Sequence, residues 1–240
     1  MRILAHRGLE SEFVPENTIK AFADAIAANA DVIETDIQVT ADGVPVIFHD
    51  ESLQRLANID RLVSEVSAAE LETIDIGHGK RIPTLEQALL AFSTTKFNLD
   101  IKTDAGVEPT VALIEKLQVH ERVLISSFSE KRRVLTVSML SKPTRTSAGV
   151  SKVLKLYFAY RFGLRKLFQQ IASGSDALQI PTHKGLMRLD SPGFIAMAKS
   201  ANLEVHFWTI NDANEMKRLA AAGATGIVTD HCDLAAATLR

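Results

Sequence analysis

Val32-Ile33-Glu34-Thr35-Asp36-Ile37 is a β-branched run carrying two acids at alternate positions. On a strand, residues i and i+2 face the same side, so Glu34 and Asp36 project together. Seven further short, mostly apolar runs recur along the chain, at Arg2–Ala5, Phe97–Ile101, Val123–Ser127, Thr144–Ala148, Ala177–Ile180, Val205–Thr209 and Gly226–Thr229. Most are continuous rather than alternating, the pattern of parallel strands buried on both faces.

Helical periodicity fills the gaps. Ile19, Phe22, Ala23 and Ile26 make one apolar face, and Thr84-Leu85-Glu86-Gln87 has capping-box spacing ahead of Ala88-Leu89-Leu90. Asp212-Ala213-Asn214-Glu215 caps a helix with Met216, Leu219 and Ala220 on one face, and Gly223 is placed to end it. Eight strand–helix alternations without a Pro/Ser-rich linker predict an α/β fold, a closed (β/α)₈ TIM barrel spanning residues 1–240 as one domain. Asp42-Gly43 and the strand-like Val44–His49 interrupt the rhythm, and the polar, weakly periodic stretch at about 50–81 reads as a small insertion or lid after the second strand.

Composition narrows the function classes. The single cysteine, Cys232, rules out a disulfide scaffold and a Cys-based zinc cluster. No apolar run is long enough to span a bilayer, and Met1–His6 lacks the pattern of a signal peptide, so a cytoplasmic enzyme is expected. The net charge of −2 hides an asymmetry: between Glu130 and Asp176 there are ten bases and no acid. That segment, 131–175, covers two expected helices and leaves two readings open. One is a barrel helix with solvated bases; the other is a positive, partly apolar rim in weak membrane-surface contact. No stacking platform or groove-reading motif points to nucleic acid.

In such barrels the chemistry sits at the carboxyl ends of the strands. Those ends carry His6-Arg7-Gly8, Glu34 and Asp36, His49-Asp50, Asp100 with Lys102, and Trp208. Three carboxylates meeting at one mouth repel unless a cation sits among them, and all-oxygen ligands suit Mg²⁺ or Ca²⁺. The alternative is that each acid only pairs with a base such as Arg7 or Lys102. His6 and His49 are the acid/base pair, since histidine exchanges protons near neutrality. His78, His120, His183, His206 and His231 are expected as satisfied core residues. Arg7 and Lys102 either bind phosphate or neutralise the acids. A barrel aldolase using Lys102 as a Schiff base and a non-catalytic binding module are the rivals from other classes.

His6-Arg7-Gly8, Pro15-Glu16-Asn17-Thr18, Glu34-Thr35-Asp36, Thr40-x-Asp42-Gly43 with His49-Asp50, Ile82-Pro83-Thr84-Leu85-Glu86 and Trp208-Thr209-Ile210-Asn211 run in order along nearly the whole chain. The closing strand region, Gly223 to Asp230, adds to the series. Together they resemble the glycerophosphodiester phosphodiesterase family. The resemblance implies hydrolysis of glycerophosphodiesters to sn-glycerol 3-phosphate and an alcohol, with lysophospholipase D-type activity on lysophospholipids as the alternative. It implies one divalent metal on Glu34, Asp36 and Asp100, with His6 and His49 as general acid and base. Arg7 and Lys102 would contact the phosphate, and Trp208 would wall the substrate pocket. Asp100 stands where most of the family has Glu, as in the related sphingomyelinase D enzymes. Being one methylene shorter, it would draw the metal nearer the strand or act through a water.

Overall fold

In the computed structural model, which describes residues 1–240, the eight expected strands form one parallel ring. The chain runs β1 (Arg2–His6), α1 (Ile19–Ala27), β2 (Val32–Val39), β3 (Pro45–Ile47), α2 (Gln54–Ala57), α3 (Ala68–Leu71), α4 (Leu85–Ala91) and β4 (Lys96–Ile101). It continues through α5 (Val107–Leu117), β5 (Val123–Ser126), α6 (Glu130–Met139), β6 (Arg145–Thr146), α7 (Val150–Arg161), α8 (Arg165–Ala172) and β7 (Ala177–Ile180). The last part is β8 (His183–Lys184), β9 (Met187–Arg188), α9 (Pro192–Ser200), β10 (Glu204–Phe207), α10 (Ala213–Ala221), β11 (Gly226–Thr229) and α11 (Cys232–Leu239).

Strand order is β6-β5-β4-β2-β1-β11-β10-β7, and a parallel bridge between Ser147 and Ala177 brings the two ends together. The fifth barrel strand is shorter than its expected span at 144–148, because Ser147 and Ala148 pass across to β7: the Ala148 N–H donates to the Ala177 carbonyl at 2.9 Å. Thr84 and Asp212 cap their helices as the sequence predicts, each accepting a bond from a backbone N–H one turn on. The apolar face of α1 buries Phe22 against Phe97 and Phe92.

Residues 44–82 pack a small apolar cluster of their own, with Val46, Phe48, Leu53, Val66 and Leu71 at its heart. β3 ties this segment to the barrel as an antiparallel edge on β2, Ile37 opposite Ile47. The basic segment 131–175 forms three helices rather than two, because Gly163 turns the chain at φ +66° between α7 and α8. Of the five histidines expected in the core, only His120 and His206 are buried; His78, His183 and His231 are exposed. His206 is buried on a barrel strand, whereas His183 sits in the short β8–β9 hairpin that projects from the barrel. No helix is long and apolar enough to cross a membrane.

Candidate active site

A cavity of about 580 Å³ opens at the carboxyl ends of the strands. It brings together every expected site residue: His6, Arg7, Glu34, Asp36, His49, Asp100, Lys102 and Trp208. Register explains the convergence. His6 pairs with Glu34 across β1 and β2, and Asp36 pairs with Asp100 across β2 and β4.

The turn after β1 is built for close approach. Arg7 and Gly8 both have positive φ, and a Cβ on Gly8 would lie 2.8 Å from the backbone of Ala21 in α1. The Arg7 N–H donates to the Glu34 carbonyl at 2.9 Å, and the Arg7 carbonyl accepts from the Asn17 N–H at 2.8 Å. These bonds aim the Arg7 side chain across the mouth.

Two histidines face the cavity, each held by a carboxylate. His6 Nδ1 lies 2.6 Å from Asp230 Oδ1, and the Asn211 amide donates to the other Asp230 oxygen at 2.6 Å. His49 Nδ1 lies 2.6 Å from Asp50 Oδ1, and Arg55 Nε donates to Asp50 Oδ2 at 2.5 Å. With Nδ1 engaged, each ring has Nε2 left to exchange a proton. Burial opposes the charge on His6, but the bond to Asp230 and the field of Glu34 outweigh it and raise its pKa.

The acids divide into two kinds. Lys102 Nζ lies 2.7 Å from Asp36 Oδ1 and 2.7 Å from Asp100 Oδ2, so one ammonium bridges both. The second Asp36 oxygen accepts from Asn17 Nδ2 at 3.1 Å. Arg7 Nε stands 3.2 Å from that oxygen as an ion-pair contact, not an aligned hydrogen bond. Burial works against the Asp36 charge, but Lys102 and Arg7 prevail and lower its pKa. For Asp100 burial wins over Lys102 and raises it. Glu34 has no base: its Oε2 is buried without a partner, and burial plus the Asp36 charge push its carboxyl up to about 8.

Side chains from the loops complete the site. Glu16 accepts from both Arg7, at 3.1 Å, and Arg55, at 2.5 Å, so the insertion helix α2 is wired to the first loop. Phe128 packs on Trp208 at 5.9 Å between ring centroids and lies 5.7 Å from Lys102 Nζ. Asp230, Asp50, Glu16 and Asn17 fell within the motif series without an assigned role, and Arg55 and Phe128 were not singled out. Asp230 and Asp50 directly follow β-rich runs, and that position was the available signal.

The wall is two-sided. Toward α7 it is apolar, with Val150, Val153, Leu154 and Tyr157; toward α2 a second hollow, lined by Gln38, Asp50, Ser52, Gln54 and Arg55 among others, has no apolar lining residue. Lys102 is unsuited to Schiff-base chemistry: burial lowers its pKa, yet Asp100 and Asp36 more than reverse that and hold it protonated. No three His, Cys, Asp or Glu side chains stand close enough together to hold a metal as they lie, and Lys102 sits between Asp36 and Asp100. The donor chemistry nevertheless fits a hard cation, for Glu34 Oε2 is a buried carboxyl oxygen without a partner, and a cation there would favour its charged form.

Residues 6–234 match the model of the glycerophosphoryl diester phosphodiesterase family. The chain is 35% identical over 231 residues to a probable glycerophosphodiester phosphodiesterase 2 of Mycobacterium tuberculosis, covering 96% of this chain and 88% of that protein. It is 30% identical over 243 residues to a glycerophosphodiester phosphodiesterase of Caldanaerobacter subterraneus, covering 95% and 93%. The fold is shared with a phosphodiesterase of Oleispira antarctica solved in complex with its product sn-glycerol-3-phosphate, at TM-score 0.82 and 24% identity over 100% of this chain and 96% of that one.

Proposed function

The chain belongs to the glycerophosphoryl diester phosphodiesterase family, and on that premise we propose that it hydrolyses glycerophosphodiesters to sn-glycerol 3-phosphate and an alcohol. One observation carries the reading: two histidines, each with Nδ1 held by a carboxylate, border a single cavity that also holds Arg7 and Lys102. Phosphodiester cleavage needs one proton taken from the nucleophile and one given to the leaving oxygen. The names of the two relatives above point to the same substrate class.

His6, whose charge is favoured by Asp230 and Glu34, donates the proton to the leaving alcohol. His49 takes the proton from the attacking oxygen, either water or the glycerol 2-hydroxyl. In the second case a cyclic phosphate forms and water opens it with the two roles exchanged. Arg7 and Lys102 hold the non-bridging oxygens and stabilise their charge as phosphorus becomes five-coordinate. Trp208 and Phe128 shape one wall. Glu34, Asp36 and Asp100 would hold one Mg²⁺ or Ca²⁺, which when bound supplies Lewis-acid stabilisation of the phosphate charge.

The apolar wall from Val150 to Tyr157 favours a second substrate, a lysophospholipid cleaved in the manner of a lysophospholipase D. Both readings are tested by assaying release of alcohol from glycerophosphocholine, glycerophosphoethanolamine and lysophosphatidylcholine. Each is run with EDTA and with Mg²⁺ or Ca²⁺ restored. Full activity in EDTA removes the metal, and turnover of lysophosphatidylcholine alone reverses the substrate order.

A further inference from the structure

Residues 161–167, Arg-Phe-Gly-Leu-Arg-Lys-Leu, are exposed throughout. Phe162 is 74% exposed, and Leu164, Leu167 and the neighbouring Phe158 also face solvent. They lie at the tip of a helical hairpin. Lys152 near the start of α7 donates to the Ser173 carbonyl at 2.7 Å and to Ser175 Oγ at 2.8 Å, just beyond the end of α8. The two helices therefore run antiparallel, and the turn at Gly163 projects away from that base. The inner face is already filled: Leu156, Ala159 and Phe168 are buried, and Tyr157 and Tyr160 pack on Phe194. The exposed apolar residues are thus not a displaced part of the core.

A second projection repeats the pattern. The β8–β9 hairpin carries Leu186 at its tip, wholly exposed, between Lys184 and Arg188. The elements that carry the two tips line the same cavity, the first half of α7 through Val150 and Tyr157 and the hairpin through Lys184 and Met187. Single protruding apolar tips among bases suit an interface of headgroups and acyl chains, where a tip can be immersed without a matching groove. The charge agrees, since no acid occurs from 131 to 175.

We propose that these two tips dock the cavity mouth onto a bilayer surface containing anionic phospholipid. Phe162, Leu164 and Leu186 enter the headgroup boundary, while Arg161, Arg165, Lys166, Lys184 and Arg188 meet lipid phosphates. Docking brings the apolar wall of the cavity against the source of amphiphilic phosphodiesters; that consequence rests on the reaction proposed above, whereas docking itself does not.

Cosedimentation of the full chain with vesicles of phosphatidylcholine, alone or mixed with phosphatidylglycerol, tests it. The chain pellets with the anionic vesicles at low salt and is released at high salt. R161Q/R165Q/K166Q weakens binding on the order of 100-fold, and F162S/L164S by about 30-fold. Both variants keep the wild-type circular dichroism spectrum and turnover of glycerophosphocholine in free solution. Indifference of the wild type to anionic lipid, or variants that bind as it does, overturns the proposal. So does a dimer that F162S/L164S dissolves with no vesicle binding. Vesicle binding by a chain without phosphodiesterase activity sinks the reaction and leaves the docking.

Discussion

His6 and Asp230 are separated by 224 positions in the chain, yet Nδ1 of one lies 2.6 Å from a carboxylate oxygen of the other. The contact follows from register, since β1 and β11 are neighbours and Ala5 pairs with Thr229, placing the next residue of each strand side by side. The carboxylate both orients the imidazole and favours its charged form.

Asp230→Asn is expected to lower kcat on the order of 100-fold and to move one limb of the pH–rate profile to lower pH. The sign follows from the direction of the shift: Asp230 raises the His6 pKa, so removing its charge lowers it. A merely structural role for Asp230 would reduce the amount of folded enzyme and leave the profile in place. Measuring kcat against pH separates the two.

His6→Ala and His49→Ala should each cost about 10²- to 10⁴-fold in kcat with little change in thermal stability, since both rings face the cavity. A leaving group of low pKa, such as p-nitrophenol, should restore the His6 variant more than the His49 variant. That asymmetry checks which ring gives the proton to the alcohol.

Glu34→Gln should stabilise the enzyme in EDTA at pH 8. The Glu34 pKa is raised from its ordinary 4.5 to about 8, so ionising it costs the fold progressively as pH rises through that window. Replacing it removes the cost, and the difference in Tm between variant and wild type should fade toward pH 4.5. Each kcal/mol relieved is worth roughly 2–4 °C in a chain of this size. Mg²⁺ or Ca²⁺ should raise the Tm of the wild type and leave the variant unmoved.

Gly8→Ala should destabilise by about 1–3 kcal/mol and lower activity at permissive temperature. The new Cβ meets Ala21 backbone atoms at 2.8–2.9 Å, on a residue with φ +90°. Chemical denaturation gives the stability loss. An unchanged midpoint would show that the first loop and α1 separate freely, contrary to the packing seen.

The barrel was legible because its periodicities are local: Val32–Ile37 and Phe97–Ile101 are read within six residues, and Thr84 and Asp212 announce their helices directly. That the eight candidate residues would meet in one cavity was legible because strand ends in this topology share one mouth. What escaped needed distant partners. Nothing local to Asp230 says that His6 will face it, and nothing in Glu16 tells that Arg55 will reach it from the insertion. Pairing of the acids with Lys102 was one of the two readings left open, but that one ammonium bridges both Asp36 and Asp100 depends on parallel register between β2 and β4. Helix breaking at Gly163 was signalled by its residue type, whereas the β8–β9 hairpin, at two residues per strand, is too short to leave a periodic trace.

The pairing of β1 with β11 also orders events during synthesis. A nascent chain that has not yet reached Gly226 offers β1 no neighbour on that side and His6 no Asp230. His49, Asp50 and Arg55 lie close together in the chain and need no partner from the last strand. On the roles proposed above, one half of the proton-transfer pair rests on residues 49–55 alone and the other on closing the ring, so a chain clipped before Gly226 should show no turnover.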